Sequence, residues 1–342
     1  MSPDHASEQV RQLNRIVFRP WEPQIIATFV RFEMAERLAA GPRTTDDLAA
    51  ELGAHADSLG RFLRSCAVLD LLETSDGTTF SVTELGRLLC SHEAGMRNIV
   101  MMNFTPGIWN RAGRLYETVL TGKPVLDDNG EDLYDYYRHS PDERAWHAAA
   151  MADLAGDAGA AIAEHYDLGP VSTVVDVGGS LGVLLSRLLE KTPGVTGTVF
   201  DLPDIVAKGR EWAAGTGVAD RLSFVGGSFF EDVPPRADLY LLKQVLCDWG
   251  DEDAARILDS VFRGAPSGSR LVVIEWMRPD DAMPSEFDSM SLGLQAVTGG
   301  RVRTEREFVG LLEGAGFKFE STVTVPSLLL PRPWHLLQAV RP

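Results

Sequence analysis

Cysteine is scarce in this 342-residue chain: Cys66, Cys90 and Cys247 stand far apart and form no CxxC pair. That gives no zinc ribbon and fits a reducing compartment, so a cytoplasmic location is expected. The seven histidines show no HExxH or other metal spacing, so no metal site is expected. No apolar run reaches the roughly 18 residues of a spanning helix. The first residues, Met1 to Glu8, are polar and do not read as a secretion signal. Positive charge is short as well: 32 Lys and Arg face 49 Asp and Glu, a formal net charge of −17. A chain so acidic repels phosphate backbones and anionic lipid, so neither nucleic acid nor a membrane is an expected partner. There is no internal repeat and no low-complexity tract.

What is present is enough apolar residue for a large core, 44%, and a length that favours two domains over one. The chain is organised around Thr173 to Gly182, read together with Asp201. Val174, Val175 and Val177 are β-branched and apolar, as in a buried parallel strand. Gly178 and Gly179 end that strand and let a ligand come close to the backbone. Leu181 to Leu189 carries apolar residues at helical spacing. Asp201 closes the next strand-like run. A strand, a glycine turn, a helix and an acid at the next strand end make a nucleoside site, the acid accepting from the ribose hydroxyls.

The glycines are spaced Gly-Gly-Ser-Leu-Gly, not as in pyrophosphate binders, and Asp176 sits two residues before the first of them. A carboxylate there repels a pyrophosphate but steadies a ligand with ammonium and sulfonium charge. The expected cofactor is therefore S-adenosylmethionine. The bland reading is a glycine turn of an ordinary α/β domain; Asp176 and Asp201 together weigh against it.

Along the chain, residues 12–40 read as helical and too apolar for an isolated exposed helix. Thr44 to Leu48 reads as a capped helix start, Gly53 as a stop, and 57–72 as a further helix. Residues 72–74 and 79–82 read as a short hairpin. This winged-helix-like order is expected to serve dimerisation; the presumed recognition helix offers DNA only Arg61 and Arg64. Residues 96–165 hold further helices, among them a long one from Asp142 to His165, and an apolar cluster that includes Met101, Met102 and Trp109. From 171 onward strands and helices alternate as in a doubly wound sheet, and the last two strands form an antiparallel hairpin at its edge. The expected fold is α/β: a Rossmann-like catalytic domain over 166–342, helices over 96–165 linking to it and lining the substrate pocket, and an all-α winged-helix-like domain over 1–95.

Four ordered blocks carry a resemblance. Val175-Asp176-Val177-Gly178-Gly179-Ser180-Leu181-Gly182, Phe200-Asp201-Leu202-Pro203, Lys243 through Trp249 and Gly299 through Thr304 resemble the plant caffeate and isoflavone O-methyltransferase family. Its bacterial branch modifies polyketides, anthracyclines and phenazines. The resemblance covers most of the chain. It implies a homodimer formed through the N-terminal helices and methylation of an aromatic hydroxyl. Carried over by residue, it implies cofactor contacts at Asp176, Gly178, Gly179, Asp201, Leu202, Ser228, Phe229, Lys243 and Trp249. At the adenine the usual Asp is absent, Ser228 and Phe229 standing there. It implies substrate contact at Met151, and the aromatic and sulfur residues Met102, Trp109, Phe287 and Met290 are expected to add to that pocket.

The main departure is Cys247, where the family has a histidine as general base. Glu275 matches an acid that orients that histidine, and Val302 stands in place of a second. Asp248 shapes the site beside them, and His147 is a candidate replacement base. An acidic phenol ionises readily, and positioned reactants alone gain roughly 7–11 kcal/mol, so methyl transfer by proximity is the expected reaction. Two alternatives stay open. One is the same fold and cofactor with hydroxylation, decarboxylation or ring closure as the chemistry; the other is a winged-helix regulator with a ligand-binding domain.

Overall fold

The computed structural model describes residues 3–91, 96–281 and 283–342, and the side chains of 3–7 and Arg15 are likewise left aside. The expected domain boundary at residue 95 and His92 fall outside the described residues. The chain divides into two compact units, Met1–Trp109 with Pro141–Ala150, and Asn110–Ser140 with Met151–Pro342.

The N-terminal unit is mostly helical. The apolar stretch expected as helix over 12–40 is cut into Pro3–Val17, Glu22–Arg31 and Met34–Arg37. Pro23 opens the second of these from its first turn, where a missing N–H costs nothing. Glu33, in the left-handed region at φ 52°, separates the second from the third. Helix Thr45–Leu52 begins as expected, with the Thr44 hydroxyl accepting from the Asp47 N–H at 3.2 Å, and Gly53 ends it at φ 61°. Helix Ala56–Val68 stops four residues short of its expected end, where Asp70 turns left-handed at φ 57°. The expected hairpin is present as β2 (Leu72–Glu73) and β3 (Thr79–Val82), and β1 (Arg43–Thr44) pairs on the other side of β3. The mainly helical unit thus carries a small three-stranded sheet built on the expected hairpin. Phe29, Met34, Leu48, Leu63 and Phe80 form its core. By contrast, Val10, Leu13, Ile16, Phe18 and Trp21 stay exposed at its N-terminal end.

The C-terminal unit is built on seven strands: β4 (Thr173–Val177), β5 (Thr196–Asp201), β6 (Leu222–Gly226), β7 (Leu239–Lys243), β8 (Arg270–Glu275), β9 (Lys318–Val325) and β10 (Trp334–Val340). Their order is β6-β5-β4-β7-β8-β10-β9. The first five are parallel, and β10 lies antiparallel between β8 and β9, so the expected edge hairpin is there. Val174, Val175 and Val177 are buried, as a strand covered on both faces requires. After β4 the chain winds outward to β5 and β6, then returns to β7. The switch point therefore lies at the carboxyl ends of β4 and β7, where open α/β sheets bind their ligands. The helix after the glycine turn is Val183–Lys191, two residues later than expected, because Gly182 at φ 83° serves as its N-cap. Among the described residues, no helix is long and apolar enough to cross a membrane, and no group of side chains could hold a metal.

Candidate functional site

The turn after β4 is bare backbone held open by acids. Gly178 adopts φ 72°, and a Cβ there would lie 2.9 Å from a Val245 methyl. A Cβ on Gly179 would lie 2.6 Å from the Asp176 carboxyl. Glycine is thus required at both positions, and a ligand can approach the main chain. The Gly178 N–H donates to the Phe200 carbonyl at 2.8 Å, tying the turn to the end of β5. There the Asp201 carboxylate accepts from the Ser180 N–H at 2.8 Å and the Leu202 N–H at 2.7 Å. Two bonds leave it lone pairs to accept further donors. Asp176 is 2% exposed. Burial pushes its carboxyl up to about 7, with Asp201 adding to the rise and Lys243 opposing it. Asp201 is also raised, chiefly by burial. Lys243 offsets these two carboxyls only in part, and a cationic ligand would supply further positive charge.

The second cluster stands at the ends of β7 and β8. Lys243 ends β7, its ammonium 5.3 Å from the centre of the Trp334 ring. Burial lowers it to about 8, against the pull of Cys247, Glu275, Asp176 and Asp248. Gln244 follows in the left-handed region at φ 48°, its buried Oε1 without a partner. Strain and an orphaned acceptor at a strand end are common marks of a ligand site. A single turn of 3-10 helix, Leu246–Asp248, carries the next two residues. The Cys247 N–H donates to Glu275 Oε1 at 3.2 Å, and the Cys247 thiol lies 4.0 Å from Asp248 Oδ1. Burial, then Glu275 and Asp248, push that thiol well above its ordinary range, so it stays protonated. Glu275 is raised to about 8 by burial and by Asp248. Asp248 is raised by burial only to about 6, because the Tyr134 hydroxyl, which donates to its Oδ2 at 3.0 Å, and Lys243 hold it down. The two acids are thus pushed apart, Asp248 ionising first.

Residues of the Gly299 through Thr304 block, to which the sequence assigned no role beyond the resemblance, fix this corner. Arg303 is fully buried and donates to the carbonyls of Leu246 at 2.6 Å and Trp249 at 2.7 Å, and to Asp251 at 2.8 Å. The Arg301 N–H donates to the Cys247 carbonyl at 2.8 Å, and any Cβ on Gly300 would overlap that same oxygen. Beneath Lys243, the Trp334 indole donates to the buried Asp157 at 2.7 Å. Tyr134 escaped notice because nothing local to it marks it; its partner is 114 residues away.

Phe229 packs 3.8 Å from the Cβ position of Gly178 and edge-on to Trp249, with 6.2 Å between ring centres. Ser228 is occupied by its own turn, its N–H donating to Asp232 at 2.9 Å and its hydroxyl accepting from the Phe230 N–H at 3.3 Å. Phe287 and Met290 stand on helix Glu286–Val297 beside Arg332, at 5.6 Å from the ring centre and 3.5 Å from the sulfur. Met151 is half-buried in helix Pro141–His165. Met102, Trp109 and His147 belong to the N-terminal unit; burial lowers His147 to about 4, so its ring is neutral at pH 7.

Residues 113–318 match the model of the O-methyltransferase domain, and residues 15–92 that of the O-methyltransferase dimerisation domain. The chain is similar to the mitomycin biosynthesis 6-O-methyltransferase of Streptomyces lavendulae, 32% identical over 91% of this chain and 90% of that protein. It is 31% identical, over 92% of its own length and 86% of the relative's, to aclacinomycin 10-hydroxylase RdmB of Streptomyces purpurascens. The solved structure of the mitomycin 7-O-methyltransferase MmcR is similar with a TM-score of 0.92 at 30% identity, covering 100% of both chains. Others with the same fold were solved with S-adenosylmethionine or S-adenosylhomocysteine.

Proposed function

The chain belongs to the S-adenosylmethionine-dependent O-methyltransferase family, and on that premise we propose that it methylates a phenolic hydroxyl of an aromatic secondary metabolite at the carboxyl ends of β4, β5 and β7. S-adenosylmethionine supplies a methyl group on positively charged sulfur. The turn fits it: Gly178 and Gly179 leave the backbone bare, Asp201 has lone pairs left for the ribose hydroxyls, and Asp176 sits buried with its charge only partly offset by Lys243. Leu202 continues from Asp201, while Phe229 and Trp249 offer aromatic walls for the adenine. Met151, Phe287 and Met290 are the proposed apolar side of the substrate pocket within the C-terminal unit.

Cys247 carries the reading of mechanism. As a protonated thiol it neither accepts the substrate proton nor attacks, so this enzyme does without the family's histidine. Alignment supplies much of the acceleration for an acidic phenol, roughly 7–11 kcal/mol where reactants are held in place. The N-terminal residues 1–95 are proposed as the homodimerisation module, their exposed Val10, Leu13, Ile16, Phe18 and Trp21 meeting a second copy. The helices of 96–165 are proposed as linker and pocket wall, and 166–342 as the catalytic domain, in a cytoplasmic enzyme.

The test is incubation with S-adenosylmethionine and a panel of hydroxynaphthoates, hydroxyquinones and phenazine phenols, read by mass spectrometry. Methylated product and S-adenosylhomocysteine in equal amounts are expected. The missing histidine also favours a second reading, the same cofactor used without methyl transfer. Altered substrate with no S-adenosylhomocysteine would establish that reading instead.

A further inference from the structure

We propose that Asp248 is the general base of this site and that the Tyr134 hydroxyl is the positioning group that holds its carboxylate ready, the pair replacing the histidine the family uses. This rests on the methyl-transfer reading for its substrate, a phenol, but not for its geometry.

The other acceptors in the corner are each disqualified. The Cys247 thiol stays protonated, for the reason given above. Glu275 is 1% exposed, and its Oε1 is bonded to the Cys247 N–H. Lys243 is turned onto the Trp334 ring and carries its proton through most of the neutral range. Asp248 is half-buried, so a substrate can reach it, and it loses its proton near pH 6. A base poised near the working pH is the efficient one.

Its position is fixed from every side. From helix Leu133–His139, Tyr134 donates to Oδ2 at 3.0 Å. Lys243 faces it from β7, Glu275 from the end of β8, and the Cys247 thiol from its own turn at 4.0 Å. Arg303 holds the carbonyls of Leu246 and Trp249, on either side of the two residues, so the turn itself cannot drift. A carboxylate accepts about four hydrogen bonds, so Tyr134 leaves room for a phenol. In the step, the substrate O–H bond breaks, its electron pair stays on the oxygen, and the proton bonds to an Asp248 oxygen. Asp248 returns that proton to solvent once product has left.

Two isosteric variants, Asp248→Asn and Tyr134→Phe, test the pair. In ligand-free protein with ¹³C-labelled aspartate carboxyls, the resonance lost in Asp248→Asn belongs to Asp248. Its midpoint is expected near pH 6. Tyr134 holds the carboxyl down, so Tyr134→Phe is expected to raise that midpoint by roughly half a unit to one unit, the worth of one hydrogen bond. With any phenol from the panel that yields S-adenosylhomocysteine, at saturating donor, the acid limb of kcat/KM follows the same midpoint. The limb moves upward with it in Tyr134→Phe. Asp248→Asn loses the limb and about 10²–10⁴-fold in rate. A merely structural tyrosine would lower the rate at every pH and leave the limb where it was. Titration of Asp248 in the ordinary carboxylate range, or a limb that ignores Tyr134→Phe while the resonance shifts, overturns the proposal. Absence of turnover with every phenol is instead a failure of the methyl-transfer reading, and the ¹³C titration then decides the pairing alone.

Discussion

The turn after β4 and the corner after β7 stand at the ends of adjacent strands, and both bury acids. They differ in what holds those acids. At the turn, burial dominates Asp176 and Lys243 opposes it, while Asp201 accepts from two backbone N–H groups. At the corner, Asp248 has Tyr134, Glu275 has the Cys247 N–H, and Arg303 ties the whole turn down. The first region has only Lys243 to set against its acids and has room for an external cation; the second is tied down by the chain itself, save for the Gln244 Oε1. Binding a positively charged donor and placing a neutral phenol are different electrostatic tasks, and the two regions divide them.

Removing the internal support should do the most damage. Arg303→Ala takes away a fully buried guanidinium, leaves the Trp249 carbonyl without its donor and leaves the Leu246 carbonyl only the long bond from the Trp249 N–H. The expected loss in chemical denaturation is about 3–5 kcal/mol. A loss below about 1 kcal/mol, the worth of a single ordinary hydrogen bond, would show that the corner does not depend on it. At the turn, Asp201→Ala should cost about 2–3 kcal/mol of S-adenosylhomocysteine affinity, as expected for hydrogen bonds to a charged group. Calorimetry should show unchanged affinity if Asp201 does not hold the ribose.

Asp176→Asn sharpens the contrast, because it should weaken cofactor binding yet relieve the ligand-free fold. The folded carboxyl sits near 7 against an ordinary value of 3.8. A raised acid favours the fold only while protonated, so its cost grows as pH rises from about 4 to 7. The variant's melting temperature relative to the parent should therefore climb across that window and level off above it. A difference independent of pH would mean the carboxyl is not strained. The smallest effect belongs to Cys247: Cys247→Ala should leave the shape of the pH–rate profile unchanged and alter kcat less than about tenfold, far from the 10²–10⁴ of a lost base. Near-complete loss of turnover would make the thiol a participant after all.

The turn was legible in the sequence because each of its signals is local. A β-branched strand, two adjacent glycines and an acid at the next strand end are separated by one helix, and the sheet geometry does the rest. The corner was legible only in part. Lys243, Cys247 and Asp248 stand in one ordered block and Glu275 was matched to the acid that orients the family's histidine. Arg303 stands in the last block but its role did not show there, because its partners are more than 50 residues away, and Tyr134, 114 residues from its partner, stands in no block. Periodicity carries no signal for such pairs. Helix ends were misplaced for a related reason: Glu33, Asp70 and Gly182 adopt left-handed conformations that the apolar pattern runs straight through.

The central claim, that the turn binds its cofactor as a cation against carboxyls only partly offset by Lys243, is tested most directly by proton release. Calorimetric titration of S-adenosylmethionine in buffers of different ionisation enthalpy should show nearly one proton leaving the protein per ligand at pH 6. Affinity should rise close to tenfold between pH 6 and 7.5 as Asp176 ionises unaided, and both effects should vanish in Asp176→Asn. Equal affinity at the two pH values, with no proton released, would contradict the account.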